Sequence, residues 1–253
     1  VLLMGFAEEC GVTPLLLGNG TNLLVADEGL DTLVLQTGEG LNRISLDGET
    51  IIADAGVSLA RLGVFAWQHS LTGLEFAHGI PGSLGGGVVM NAGAYGGELK
   101  DVLTEVTALF PDGVRTLRGE ELALGYRRSL FTDHPEAVVL RAKLALQSGS
   151  AEQIKARMDE LAAKRRASQP LELPSAGSTF KRPEGYFAAA LIDQCGLKGT
   201  RVGGAEVSRK HAGFIVNVGG AKCADVLALI QKVQDTVFTA TGVTLEPEVK
   251  IIQ

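Results

Sequence analysis

Three short clusters of this chain carry side chains fit for chemistry. The first is Gly125-Tyr126-Arg127-Arg128-Ser129-Leu130-Phe131. A guanidinium fork matches a carboxylate through two parallel hydrogen bonds, although an arginine pair at a turn is also ordinary surface. The second is Pro174-Ser175-Ala176-Gly177-Ser178-Thr179-Phe180-Lys181-Arg182-Pro183. Hydroxyls on small residues followed by cations suit a phosphate-bearing ligand, and a polar interdomain loop reads equally well. It contains no G-x-S-x-G elbow, so a hydrolase nucleophile is not indicated. The third is Leu245-Glu246-Pro247-Glu248-Val249. A strand end is a rigid mounting for a catalytic acid, but most such glutamates are simply solvated.

Two glycine-rich stretches accompany these clusters: GNGTNLLVAD at 18–27 and GIPGSLGGGVVMNAGAYGGE at 79–98. Glycine tolerates positive φ and puts no side chain between backbone and ligand. Successive N–H groups in such turns form an anion-binding concavity, so the pair fits a long ligand with a diphosphate at its middle. Tight turns between strands are the alternative, with 18–22 evenly poised. Ser83, Asn91 and Tyr95 among the glycines make 79–98 more than a turn. Neither stretch is a GxGxxG or GxxxxGK[ST] fingerprint.

The elements that must position these residues follow from periodicity. Residues 15–17, 32–36 and 50–55 read as strands, and Ser58 as the cap of a helix with Leu59, Leu62 and Ala66 on one face. Residues 105–110 and 114–117 flank Pro111-Asp112-Gly113 as a hairpin, and 138–146 alternates as a half-buried strand. Composition shifts at 147–150. Helices then follow on Ile154, Met158 and Leu161, on Phe187, Leu191 and Ile192, and on Val226, Ile230, Val233 and Val237. Residues 214–218 and 249–252 read as strands. A mostly β domain over 1–147 precedes an α+β domain over 148–243, and 244–253 forms a terminal strand bearing Glu248.

The totals narrow the function. The chain has 253 residues, 45% hydrophobic, enough for two cores. Its net charge of −6 gives no electrostatic footprint for nucleic acid. The three cysteines and four histidines are scattered, so neither a disulfide framework nor a metal site is expected. A reducing cytoplasm is the simplest compartment. No apolar run approaches a bilayer span, and no secretion signal is seen. A monomer is the default. The chain opens at Val1 within a helical pattern, so an upstream segment is expected.

Taken in order, GNGTNLLV, GIPGSLGG…NAGAYG, GYRRSLF, PSAGSTFKRP, GGAEVSRKHAGFIVN and LEPEV closely resemble the UDP-N-acetylenolpyruvoylglucosamine reductase family, flavin reductases of peptidoglycan precursor synthesis. The resemblance covers the whole chain. The short 147–151 connection resembles the subgroup lacking a tyrosine-bearing insertion. The resemblance implies an FAD-binding domain of the vanillyl-alcohol-oxidase type, followed by a smaller α+β substrate-binding domain. It implies FAD, NADPH and a UDP-sugar as partners, and roles in cell wall biogenesis and cell division. Gly18, Asn19, Gly20, Thr21 and Asn22 would line the cofactor. So would Gly79, Pro81, Gly82, Ser83, Gly85, Gly86, Asn91, Gly93, Ala94, Tyr95 and Gly96. The family's arginine and paired glycines upstream have no match before Pro14, consistent with a missing amino-terminal part.

The family's reaction passes a hydride from NADPH to FAD, then to the enolpyruvyl double bond. Hydride addition at the terminal carbon leaves negative charge beside the carboxylate, which needs electrophilic stabilisation and a proton. Arg127 matches the catalytic arginine, Ser178 the proton donor and Glu248 the catalytic glutamate. Glu248 is preferred to Glu246 because it stands second in Glu-Pro-Glu. A protonated Glu248 would bond the enolised carboxylate, and burial would raise its pKa for that role. Tyr126, Lys181, Arg182 and Tyr186 are candidate UDP-sugar contacts, and His211 reads as structural. Lys164, Arg165 and Arg166 either face the diphosphate or form a solvated helix face. The competing readings are a sugar or alcohol oxidase of the same flavin fold, and a non-catalytic nucleotide-sugar binding module.

Overall fold

A computed structural model describes residues 2–253. The chain forms two compact units: 1–20 with 32–163, and 21–31 with 164–253.

The first unit is built on a five-stranded antiparallel sheet. Its order is Gly113–Arg118, Leu103–Phe110, Val138–Ala145, Thr50–Asp54, Ile44–Asp47. The two long central strands alternate. Val106, Ala142 and Leu144 are buried while Thr104, Arg141 and Ala145 face outward, the period-2 signature of a half-buried sheet. A register shift between Val139 and Arg141 bends the longest pairing. The buried face packs on the short helix Leu84–Val89 and shares one core with the helix Leu59–Gln68, which contributes Leu59, Leu62, Gly63 and Ala66. Ser58 begins that helix because its hydroxyl accepts the Arg61 N–H. A separate parallel pair, Leu15–Leu17 with Val34–Gln36, leads into the first glycine stretch.

The second unit packs the helix Cys223–Thr241 and the short helix Ala188–Gln194 on a three-stranded antiparallel sheet of Arg201–Val202, Ala205–Val207 and Ile215–Asn217. Leu191, Ile192, Val207, Leu229, Val233 and Leu245 centre this core. Gly242 in the left-handed region closes the long helix. The last strand, Lys250–Ile252, pairs parallel with Leu23–Val25.

The expected strands and helices are present, the helix on Ile154, Met158 and Leu161 spanning Ala151–Ser168, and the structure adds strands at Leu23–Val25, Ile44–Asp47, Arg201–Val202 and Ala205–Val207 that local pattern did not reveal. The stretch 79–98, read as loop, contains the helix Leu84–Val89 and a tight hairpin of Gly93–Ala94 with Gly97–Glu98. Among the described residues, no helix is long and apolar enough to cross a membrane, and no group of three His, Cys, Asp or Glu side chains could hold a metal ion.

His211 accepts the Gly213 N–H at Nδ1 (3.2 Å) and meets Phe214 edge to face. Burial, with the nearby charge of Lys198, holds its pKa below the ordinary histidine value. The unfolded chain therefore binds this proton more readily, and stability present at neutral pH is lost as pH falls below about 6.5. Melting temperature should drop between pH 7.5 and 5.5, and His211→Gln should flatten part of that slope. An unchanged slope in the variant would exclude His211 as its source.

Candidate functional site

In the first unit the two glycine stretches touch. A Cβ on Gly18 would sit 2.5 Å from Ser83 Oγ. Ser83 is buried, and its hydroxyl accepts the Gly86 N–H to cap the helix Leu84–Val89. Gln36 Nε2 donates to Gly18 O (3.1 Å), fixing the same turn from the other side. The glycines of that helix divide by face. A Cβ on Gly85 would press on Ala55 at 2.9 Å, and one on Gly87 would reach Leu99 at 3.1 Å. Gly86, between them, is exposed. Two glycines let the helix lie flush on the core, and the third leaves bare backbone facing outward.

The hairpin beyond turns through Tyr95 (φ +54°) and Gly96 (φ +89°), the positive-φ pair that a two-residue hairpin requires. Its two strands approach so closely that a Cβ on Gly93 would lie 2.7 Å from the Glu98 Cβ. Tyr95, Gly96 and Gly97 border a cleft of about 490 Å³ that is also lined by Glu75, Asp101 and Arg157.

Asn91 is fully buried, with φ +41°. Its Nδ2 donates to Glu98 Oε2 (2.8 Å) and to Gly125 O (2.9 Å), and its Oδ1 accepts from Lys100 N (2.9 Å). Gly125 and Arg128 pair through both backbone bonds, so Tyr126 and Arg127 form the tip of a two-residue turn. Arg127 sits at φ +54°, and its Nη2 donates to Gly93 O (3.0 Å). Its guanidinium lies 5.0 Å from the Tyr126 ring centre. Ser129 anchors the turn from behind, donating to Val89 O (2.8 Å).

Thr21 and Asn22 belong to the second unit, as do Ser178, Lys181, Arg182, Tyr186 and Glu248. The loop 174–183 is pinned by its backbone. Asn217 N donates to Pro174 O (2.9 Å), Thr179 N donates to Gly213 O (2.8 Å), and buried Thr179 Oγ1 accepts from Ile215 N (3.0 Å). Glu248 N donates to Thr179 O (2.8 Å), which brings Glu248 beside the residue that follows Ser178. Ser178 Oγ donates to Phe180 O (3.3 Å). Asn22 holds the terminal segment in place. Its Nδ2 donates to Glu248 O (3.1 Å), and its own carbonyl accepts from Lys250 N (3.0 Å).

The two carboxylates of Glu-Pro-Glu differ. Glu246 is exposed and pairs with Lys181 (3.1 Å), whereas Glu248 is half-buried. Arg182 stacks over Phe187 at 4.0 Å, and Tyr186 beside it is exposed.

These features define a class through their matches. The family described as "FAD binding domain" matches residues 1–117, and "UDP-N-acetylenolpyruvoylglucosamine reductase, C-terminal domain" matches 169–252. The fold is α+β, an FAD-binding domain of the vanillyl-alcohol-oxidase type followed by a smaller α+β domain. UDP-N-acetylenolpyruvoylglucosamine reductase from Syntrophomonas wolfei is 53% identical over 93% of this chain and 79% of its own length. The protein of the same name from Geobacillus kaustophilus is 52% identical over 97% of this chain and 80% of its own. The crystal structure of UDP-N-acetylenolpyruvylglucosamine reductase from Thermus caldophilus superposes with a TM-score of 0.84 at 37% identity, covering 98% of this chain and 88% of that one. The chain belongs to the UDP-N-acetylenolpyruvoylglucosamine reductase family.

Sequence reasoning gave no role to Gln36, Lys100 or Glu98, although Glu98 closes the second glycine stretch; their contacts with Gly18 and Asn91 are visible only in space.

The Gly18–Ser83 contact yields a double-mutant prediction. Gly18→Ala must rotate the Ser83 hydroxyl out of its cap, costing about 1 kcal/mol. Ser83→Ala should cost a similar amount, and the double variant no more than Ser83→Ala alone, because the Ser83 Cβ stands 3.7 Å away. Urea unfolding of the apoprotein measures this; additive losses would contradict the contact.

Proposed function

We propose that this chain is an NADPH-dependent flavoprotein reductase that converts UDP-N-acetylglucosamine enolpyruvate to UDP-N-acetylmuramate in peptidoglycan precursor synthesis. The observation that carries this is identity of about half, sustained over nearly the whole chain, with reductases of that name. The reaction calls for FAD, NADPH and a UDP-sugar, and the cytoplasm is the proposed compartment.

The residues present fit FAD. Exposed glycine main chain at Gly20 and Gly96 puts no side chain between backbone and a diphosphate, and Gly86 does the same beside the Ser83 cap that holds its own N–H. Thr21 and Asn22, from the second unit, complete the proposed first loop. Gly79, Pro81, Gly82 and Ala94 belong to the proposed wall around the second. When bound, FAD supplies the two-electron carrier between NADPH and the enolpyruvyl carbon.

The chain's own residues then handle charge and protons. Arg127 binds the substrate carboxylate through its guanidinium and stabilises the charge that develops beside it. The turn that carries Arg127 is held at both ends, so the fork is positioned before substrate arrives. Ser178 delivers a proton from Oγ to the carbon next to the carboxylate, releasing its bond to Phe180 O. A hydroxyl is a weak acid, but an enolate-like carbon is a far stronger base than water. Glu248 hydrogen-bonds the enolised carboxylate, and Asn22 and the Thr179 backbone fix its main chain for that role. Lys181, Arg182, Tyr186 and Tyr126 contact the UDP-sugar. The solvent-screened Lys181–Glu246 pair is weak enough for an anionic ligand to displace.

Rapid mixing tests the assignment. In Ser178→Ala, NADPH should bleach the yellow flavin as in the wild type. Return of the colour on adding the enolpyruvyl UDP-sugar should slow by roughly 10²-fold or more. Loss of both half-reactions, or recolouring at the wild-type rate, would overturn the role of Ser178.

A further inference from the structure

We propose that Asn91 is a positioning residue that sets the guanidinium of Arg127. This rests on the reading of Arg127 as the carboxylate-binding arginine. One side chain braces the arginine at two anchors. Through Nδ2, Asn91 holds Gly125 O, the first residue of the turn whose tip is Tyr126–Arg127. Two residues along the chain from Asn91, Gly93 O receives the Arg127 Nη2. The other Nδ2 hydrogen goes to Glu98, whose backbone pairs with Gly93. The carbonyl that the guanidinium grips and the backbone from which it springs are thus tied to one buried amide.

The chemistry of that amide is specific. Two donors and one acceptor are each matched, to a carboxylate, a carbonyl and a backbone N–H. A buried network satisfied at every member holds a single geometry. Arg127 needs such a hold, because its left-handed backbone is one that side chains other than glycine, asparagine and aspartate seldom adopt. Asn91 tolerates its own positive φ for that reason. Asn91 therefore acts through Arg127, its polar atoms being turned to protein.

The experiment uses Asn91→Asp and Asn91→Gly in the FAD-loaded full chain, each alone and combined with Arg127→Ala. Aspartate keeps shape and φ but loses both donors and faces Glu98; glycine keeps φ and removes the amide entirely. Reoxidation of reduced flavin by the enolpyruvyl UDP-sugar should slow by about 10²-fold in either variant, the scale of an ångström-sized misplacement. On the Arg127→Ala background neither should slow it further. Calorimetric affinity for UDP-N-acetylmuramate should show the same pattern, weakened in the single variants and unaffected by Asn91 once the arginine is gone.

Wild-type reoxidation in both Asn91 variants, with Arg127→Ala slow, would overturn the proposal and leave the arginine reading standing. Wild-type reoxidation in Arg127→Ala would remove the arginine reading and the proposal with it. An Asn91 effect that persists on the Arg127→Ala background, or failure of both Asn91 variants to fold, would assign Asn91 to the fold and overturn the proposal.

Discussion

Backbone packed too closely to admit a side chain is the constraint on which the first unit's site depends. Gly18 against Ser83, Gly85 against Ala55, Gly93 against Glu98 and Gly97 against Phe76 are all approaches that a Cβ would block. Each is expensive in conformational entropy, since glycine loses more freedom on folding than any other residue. The core around the sheet offsets that loss. The result is a wall of main chain rather than side chains, and main-chain N–H groups are the donors that suit a phosphate.

The same economy governs the side chains proposed to react. Arg127 sits at the tip of a two-residue turn whose base is tied to buried Asn91, and Ser129 secures the next turn of chain. Ser178 and Glu248 stand on segments joined by backbone bonds through Thr179, which is itself fixed to Gly213 and Ile215. Loops carry these groups, but the loops are pinned at several points and behave as rigid mounts. On the same loop Lys181 pairs with Glu246 and Arg182 lies over Phe187.

Much of this was legible in the sequence. Alternation marked the strands at 50–54 and 138–145, and Ser58 announced its helix. The helix Leu84–Val89 was not legible, because three consecutive glycines score as loop on propensity alone. Here those glycines are the means by which the helix packs, a tertiary effect invisible to local pattern. The pairing of Leu23–Val25 with Lys250–Ile252 joins opposite ends of the chain, so no window could reveal it. The resemblance places Asn91 among the cofactor-lining residues; only its burial and its three partners show that it reaches Gly125. The resemblance of six ordered motifs identified the family, while the interlocking of the glycine stretches came from coordinates.

The proposed cofactor site stands on recognition of a diphosphate at the glycine stretches. Calorimetric titration of the flavin-free protein with ADP and with adenosine tests it directly, because the two differ only in that group. Two main-chain N–H bonds to a charged oxygen contribute roughly 3 kcal/mol together, so ADP should bind at least about 10²-fold more tightly. Adenosine binding as tightly as ADP would contradict the account.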